Sequence, residues 1–202
     1  MSSLEAHAIY ALAWLSFGLG HSLLAGGGAK KRLFPVFGSF HRLSYNLFAA
    51  LHIALVMALG WRLFGAIEAF QLAPWARNAL LIGYVLGWAA FLWALKGYDL
   101  GLLAGTKQIR ERMREPLKPA DEPLLIAGAH RYVRHPLYAG AFLILWGRIS
   151  DEFDLATAAW ASLYLVAGTF FEERKLLRLY GKEYADYRRS TPAFIPWRIK
   201  GA

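Results

Sequence analysis

Two short stretches carry side chains that could act on one ligand: Arg134-His135-Pro136-Leu137-Tyr138-Ala139-Gly140 and Glu172-Glu173-Arg174. In the first, Pro136 suits the opening turn of a helix, where its missing N–H costs nothing. His135 then stands at the helix mouth, beside backbone N–H groups able to hold a carboxylate. Tyr138 follows one turn later on nearly the same face, and Gly140 permits close approach of a neighbour. In the second, adjacent residues on a helix point about 100° apart. One carboxylate can therefore face a bundle while the other faces Arg174, Lys175 or water. A carboxylate, a Tyr and a His around one pocket suit a sulfonium ligand, because the carboxylate or an aromatic face attracts the cation. Plainer readings use the same residues: a helix start with an interfacial His and Tyr, and a solvated charged face.

These stretches meet only if the elements bearing them are neighbours, and the hydropathy pattern makes them so. A membrane-crossing helix needs about 20 apolar residues. Such runs extend from His7 to Ala25, ended by Gly26-Gly27-Gly28, from about Leu43 to Phe64, and from about Asn78 to Leu95. A shorter run spans about Leu137 to Ile149, and a fifth about Leu155 to Phe171. The last two are joined by Ser150-Asp151-Glu152-Phe153-Asp154 and form a hairpin, which brings the two chemical stretches to one membrane face. Carboxylates at the C-terminal end of a helix oppose its dipole, so the fifth helix is expected to continue past Glu173 to Gly181, a natural stop. The predicted fold is an all-α integral membrane protein of about five transmembrane helices, with a C-terminal helical hairpin and a cytoplasmic cofactor pocket. It is a single membrane domain over 1–202, three spans in 1–97 and the loop, hairpin and tail in 98–202.

Charge orients it. Every Lys and Arg except Arg62, Arg77 and Arg148 falls on one set of connecting segments, and the positive-inside rule makes that set cytoplasmic. The N-terminus is expected outside and the C-terminus cytoplasmic. The first run is not a cleavable signal in this reading, since Glu5 precedes it without Lys or Arg. A net charge of +9 would suggest nucleic acid on a soluble protein, but here it clusters between apolar runs and reports topology. The composition is 57% hydrophobic, above the usual half, and eight Trp with ten Tyr suit two membrane interfaces. With no cysteine there is no disulfide framework, thiolate metal site or Cys nucleophile. The histidines lack metal-ligand spacing, so no metal is expected. No Gly-rich dinucleotide fingerprint follows a strand, and Gly26-Gly27-Gly28-Ala29-Lys30 lacks the ending of a phosphate loop.

Taken in order, Arg-His-Pro-Leu-Tyr-Ala-Gly at 134–140, Glu-Glu-Arg at 172–174, Tyr180-Gly181-Lys182-Glu183-Tyr184 with Tyr187, and Pro192 with Pro196 resemble the isoprenylcysteine carboxyl methyltransferase superfamily. That group includes phospholipid methyltransferases and bacterial methanethiol S-methyltransferases. His21-Ser22-Leu23-Leu24-Ala25, Lys30-Lys31, Arg42 with Tyr45, and Tyr98-Asp99-Leu100 are similar to the bacterial thiol branch. The resemblance implies S-adenosylmethionine as methyl donor, a pocket capped by the C-terminal tail, and an inner-membrane location. Carried over by motif, donor contacts come from Pro123, Leu124, Leu125, His135, Pro136, Leu137, Tyr138 and Glu172. His130 stands where the family usually has Tyr, and it is expected to contact the donor as well, since an imidazole can still stack or hydrogen-bond. The Arg of the prenylcysteine enzymes, four residues before the first Glu, is Gly168 here. The Arg of the thiol branch, two before the pair, is Phe170. These departures argue against prenylcysteine as substrate. The implied partners are a small hydrophobic or lipid-borne nucleophile (thiol, carboxylate or amine) and membrane lipids, with no nucleic acid; no oligomeric state is specified. Related patterns occur in membrane NADPH-dependent reductases of the sterol reductase type and in non-catalytic NnrU-type membrane subunits.

The tail after Gly181 reads as a short basic helix followed by Pro192 and Pro196, which prevent a long one. Phe194, Ile195 and Trp197 can anchor it at the interface. Alternatively, the tail folds over the pocket, with Tyr184 or Tyr187 as a wall.

Overall fold

A computed structural model describes residues 2–65, 68–112 and 124–197. Among these the chain forms helices and turns, with no strand. Helix α1 (Ser3–Ala25) starts in a capping box, the Ser2 hydroxyl accepting from the Glu5 N–H and the Glu5 carboxylate accepting from the Ser2 N–H. It ends at Ala25, where the sequence placed its end, but the break is one residue long rather than three. Only Gly26 is extended, and Gly27 already begins α2 (Gly27–Phe37). Gly38, at φ +52°, turns the chain through a short 3-10 segment into α3 (His41–Phe64). Pro74 opens α4 (Pro74–Leu95). The polar stretch expected between Lys96 and Arg134 holds two short helices, α5 (Leu100–Ala104), capped by Asp99, and α6 (Thr106–Arg110), and later a 3-10 turn at Gly128–Arg131. Helix α7 (Pro136–Gly147), α8 (Glu152–Tyr180) and α9 (Lys182–Ser190) complete the chain. Helix α8 does run on past Glu173 and stops at Gly181.

Four helical stretches are long and apolar enough to cross a membrane: Ser3–Ala25, Gly27–Phe64, Pro74–Leu95 and Glu152–Tyr180. The expected fourth run is the apolar helix α7, of 12 residues. At 1.5 Å per residue it is about 18 Å long, short of the roughly 30 Å hydrocarbon core. Long apolar side chains along these helices, such as Leu12, Leu19, Leu51, Leu81 and Val166, are exposed, as lipid-facing surface must be. The chain is an all-α integral membrane protein.

The chain divides into two compact units. The first comprises Met1–Ile67 with Asp99–Leu117, the second Glu68–Tyr98 with Lys118–Ala202. In the first, α1 packs on α3 around Tyr10, Trp14, Phe17 and Phe64, all buried. Hydrogen bonds cross this pair from Ser16 to His52 (3.1 Å) and between Tyr45 and His21 (2.5 Å). Arg42 and Asn46 donate to the last carbonyls of α5, which would otherwise lack partners.

In the second unit α4 and α7 lie backbone to backbone. A Cβ on Gly140 would stand 2.8 Å from the Phe91 nitrogen, one on Gly147 2.4 Å from that of Tyr84, and one on Gly87 2.7 Å from that of Ile144. Small residues let membrane helices approach this closely, and Gly140 meets the close neighbour its sequence position suggested. The turn from α7 to α8 is the expected hairpin. Asp151 caps α8, and buried Asp154 accepts from the Ser150 N–H and hydroxyl while pairing with Arg148 at 2.8 Å.

Candidate functional site

The site grows from the mouth of α7. Pro136 occupies its first turn and His135 is the cap. The His135 ring lies parallel to the Tyr138 ring, centroids 5.5 Å apart and planes within 7°. That is the shared face expected of residues three apart on a helix. From α8, Glu172 reaches the same place: the Tyr138 hydroxyl donates to Glu172 Oε2 at 3.2 Å, and His135 Nδ1 lies 3.6 Å from that oxygen. The Glu172 side chain is 45% exposed. A half-open carboxylate, a phenol and an imidazole thus share one patch.

Glu173 turns inward. Arg134 Nε and Nη2 both donate to its Oε1, at 2.8 and 2.5 Å. His135 Nε2 is 3.2 Å from the same oxygen, and Arg188 Nε is 3.2 Å from Oε2. Charge-assisted bonds of this kind are stronger than neutral ones. The remaining Arg134 nitrogen donates to the carbonyls of Arg188 and Thr191. The backbone N–H groups of Arg134 and His135 donate to the Pro192 and Ala193 carbonyls at 2.8 and 3.0 Å. Phe194 lies against the His135 ring at 5.9 Å. The tail is therefore bound directly to the mouth of α7, and two N–H groups that could have met a ligand hold the tail instead.

Behind this cluster, His130 holds the preceding turn. Its Nδ1 faces the Arg134 carbonyl at 3.1 Å, which can only accept, so Nδ1 carries the proton. Nε2 then accepts from the Tyr98 hydroxyl at 3.1 Å. Burial holds the His130 imidazolium below its ordinary range, and the charge of His135 adds to this against the Arg134 carbonyl bond. Burial first, and the Glu172 charge second, push Tyr98 up to about 12, keeping it a donor. Tyr187 donates to the His130 carbonyl at 2.6 Å, and Tyr184 is fully buried. Burial, then the Glu173 charge, pushes Tyr184 up to about 12.

Of the residues expected to contact a donor, His135, Tyr138 and Glu172 come together on one patch, with buried Pro136 at its base. His130 joins indirectly, both its nitrogens engaged with protein. Leu125 lies against Gly97, its Cδ2 3.7 Å from where a Cβ would stand; Leu124 and Leu137 are half-buried, and Pro123 lies outside the described residues. The Glu172-Glu173 pair splits as the helical turn between them requires, and Glu173 is the carboxylate that faces the bundle, for which α8 carries a signal. Asp154, Ala158, Ala161, Thr169 and Glu173 are all buried, at three- and four-residue spacings or their multiples, and this small-and-polar stripe fixes which carboxylate faces inward. No group of three or more potential metal ligands occurs among the described residues.

Comparison with known proteins gives the same direction. The methanethiol S-methyltransferase of Mycobacterium tuberculosis is 32% identical over 186 residues, 90% of this chain and 74% of that protein. The methanethiol S-methyltransferase of Crocosphaera subtropica is 30% identical over 90% of the chain and 71% of its own length. Nurim of Xenopus laevis is 27% identical over 64% of the chain. No family model and no solved structure matches. The chain belongs to the methanethiol S-methyltransferase branch of the isoprenylcysteine carboxyl methyltransferase superfamily.

Proposed function

We propose that this protein is a membrane methyltransferase that takes its methyl group from S-adenosylmethionine and passes it to a thiol on a small apolar or lipid-borne acceptor. The observation that carries the reading is the exposed Glu172 carboxylate, oriented by Tyr138 and walled by the stacked His135 ring. The donor set fits a cationic ligand: an anion faces outward beside an aromatic face, and its neighbour Glu173 is already neutralised by arginines. S-adenosylmethionine, when bound, supplies a methyl group made electrophilic by a sulfonium sulfur.

The chain's own residues then bind, orient and exclude water. Glu172 attracts positive charge at a position Tyr138 fixes. Arg134 ties Glu173, α7 and the tail into one frame, so the patch keeps its shape when a ligand arrives. Phe194 and the Pro192–Ala193 backbone cover the mouth of α7, and a drier site strengthens every charge interaction within it. Transfer of this kind depends on alignment more than on an acid or base, in keeping with a site whose histidines are engaged in holding structure. The basic segments favour a cytoplasmic position for this face; tags after Ala202 should be cytoplasmic and tags before Met1 external.

Detergent-purified full-length protein should convert an alkanethiol and S-adenosylmethionine to the methyl thioether and S-adenosylhomocysteine. Oxidation of NADPH with no methyl transfer would instead favour the reductase relatives.

A further inference from the structure

The second unit contains a cavity of about 590 Å³ beside the polar patch. Trp93 from α4, Phe142, Leu143 and Trp146 from α7, Tyr132 from the preceding turn and Phe194 from the tail line it. Ala90 and Ala139 add small walls on opposite helices. On α7 the lining positions 139, 142, 143 and 146 form one stripe at helical spacing. No Lys, Arg, Asp or Glu lines the cavity, and its surface is almost wholly apolar. Trp93, Leu143 and Trp146 remain exposed, on a helix pair whose outer surface faces lipid.

Size and chemistry restrict the occupant. Pockets of about 300–1,000 Å³ suit ligands of drug size, whereas methanethiol is a single methyl on a sulfur and would leave most of this volume empty. A charged body would lie there without a partner, at high cost. The cavity borders the polar patch at two residues. Pro136 lines it and directly follows His135, and Phe194 touches both Phe142 (5.1 Å) and His135 (5.9 Å). A chain lying in the cavity would therefore present its head beside His135, with Phe194 at the boundary.

We infer that this cavity seats the uncharged alkyl body of a methyl acceptor much larger than methanethiol, a long-chain thiol entering from the bilayer. The inference rests on the methyltransferase reading and names its substrate class. The test compares methanethiol, hexanethiol and decanethiol on the full-length protein in detergent. The expected result is a kcat/KM at least tenfold higher for decanethiol than for methanethiol. Ala139→Phe and Ala90→Phe, which fill the cavity from opposite walls, should each cut that ratio at least fivefold. A flat series, or a ratio that survives both substitutions in variants with wild-type melting temperature, overturns the inference.

A binding arm needs no turnover. Saturable quenching of tryptophan fluorescence by 1-bromododecane, weakened at least fivefold by both substitutions, supports the cavity even if no thiol is methylated, in which case only the methyltransferase reading fails. Equal quenching in wild type and variants overturns the cavity. So does a brominated phosphatidylcholine that binds there and is not displaced by decanethiol, since the occupant is then a bilayer lipid.

Discussion

The two units use polar side chains in different ways. Between α1 and α3, hydroxyl and imidazole groups meet in pairs across the helix pair: Ser16 with His52, and Tyr45 with His21, with Phe17 in ring contact with both histidines. Around α7 and α8 ionic groups converge: Arg134 and Arg188 both pair with Glu173, and the His135 ring lies 3.2 Å from the same carboxylate. One arrangement ties two helices. The other neutralises one carboxylate completely and leaves its neighbour, Glu172, half open. Adjacent acidic residues of identical chemistry thus receive opposite tasks from the 100° turn between them.

The sharpest way to break this contrast is to remove the buried charge. Glu173→Gln leaves Arg134 in a nearly closed site, its side chain 10% exposed, without its counterion. Removing one partner of a buried pair costs about 3–5 kcal/mol. Reversible unfolding in mixed micelles should show that loss, together with proteolytic release of the tail. Next in size is Gly140→Ala, whose methyl would meet the Phe91 backbone at 2.8 Å; backbone cannot swing aside, and overpacking of this kind costs about 1–3 kcal/mol. Tyr45→Phe removes one interhelical bond and should cost only about 0.6 kcal/mol. If Tyr45→Phe proves as damaging as Glu173→Gln, the contrast between the units is wrong.

A pH series sharpens the same comparison. The folded state holds His130 below its ordinary value, so between the two values the unfolded chain binds more protons. The stability His130 contributes is complete above about pH 6.5 and is lost as pH falls through the lower folded value. His130→Asn should flatten this part of the profile in unfolding measured from pH 7.5 to 5.

Much of this was legible from sequence, for identifiable reasons. Apolar runs marked the long helices, since nothing else explains so many exposed leucines. Pro136 announced the start of α7, and opposing the helix dipole at Glu172-Glu173 would have been costly enough to require that α8 continue. The Ser150–Asp154 link forced the two motifs together. Local pattern carried less about Gly26, where one extended residue suffices to start a new helix and Gly27 and Gly28 join it. It also missed α5 and α6, too short for periodicity to register. Arg134 as the organiser of the tail was hidden because its partners, the Arg188 and Thr191 carbonyls and Glu173, are 39 to 57 residues away, and backbone carbonyls leave no mark in a sequence.

The central claim is that Glu172 is the ligand-facing carboxylate of a sulfonium-donor site. Calorimetric titration of S-adenosylmethionine into the full-length protein and Glu172→Gln tests it most directly. Wild type should bind, and Glu172→Gln should bind more weakly by about 1–3 kcal/mol, the scale of a lost charge-assisted interaction, with its unfolding transition unchanged because the side chain is half exposed. Equal affinity in the two proteins, or no binding by wild type, would contradict the account.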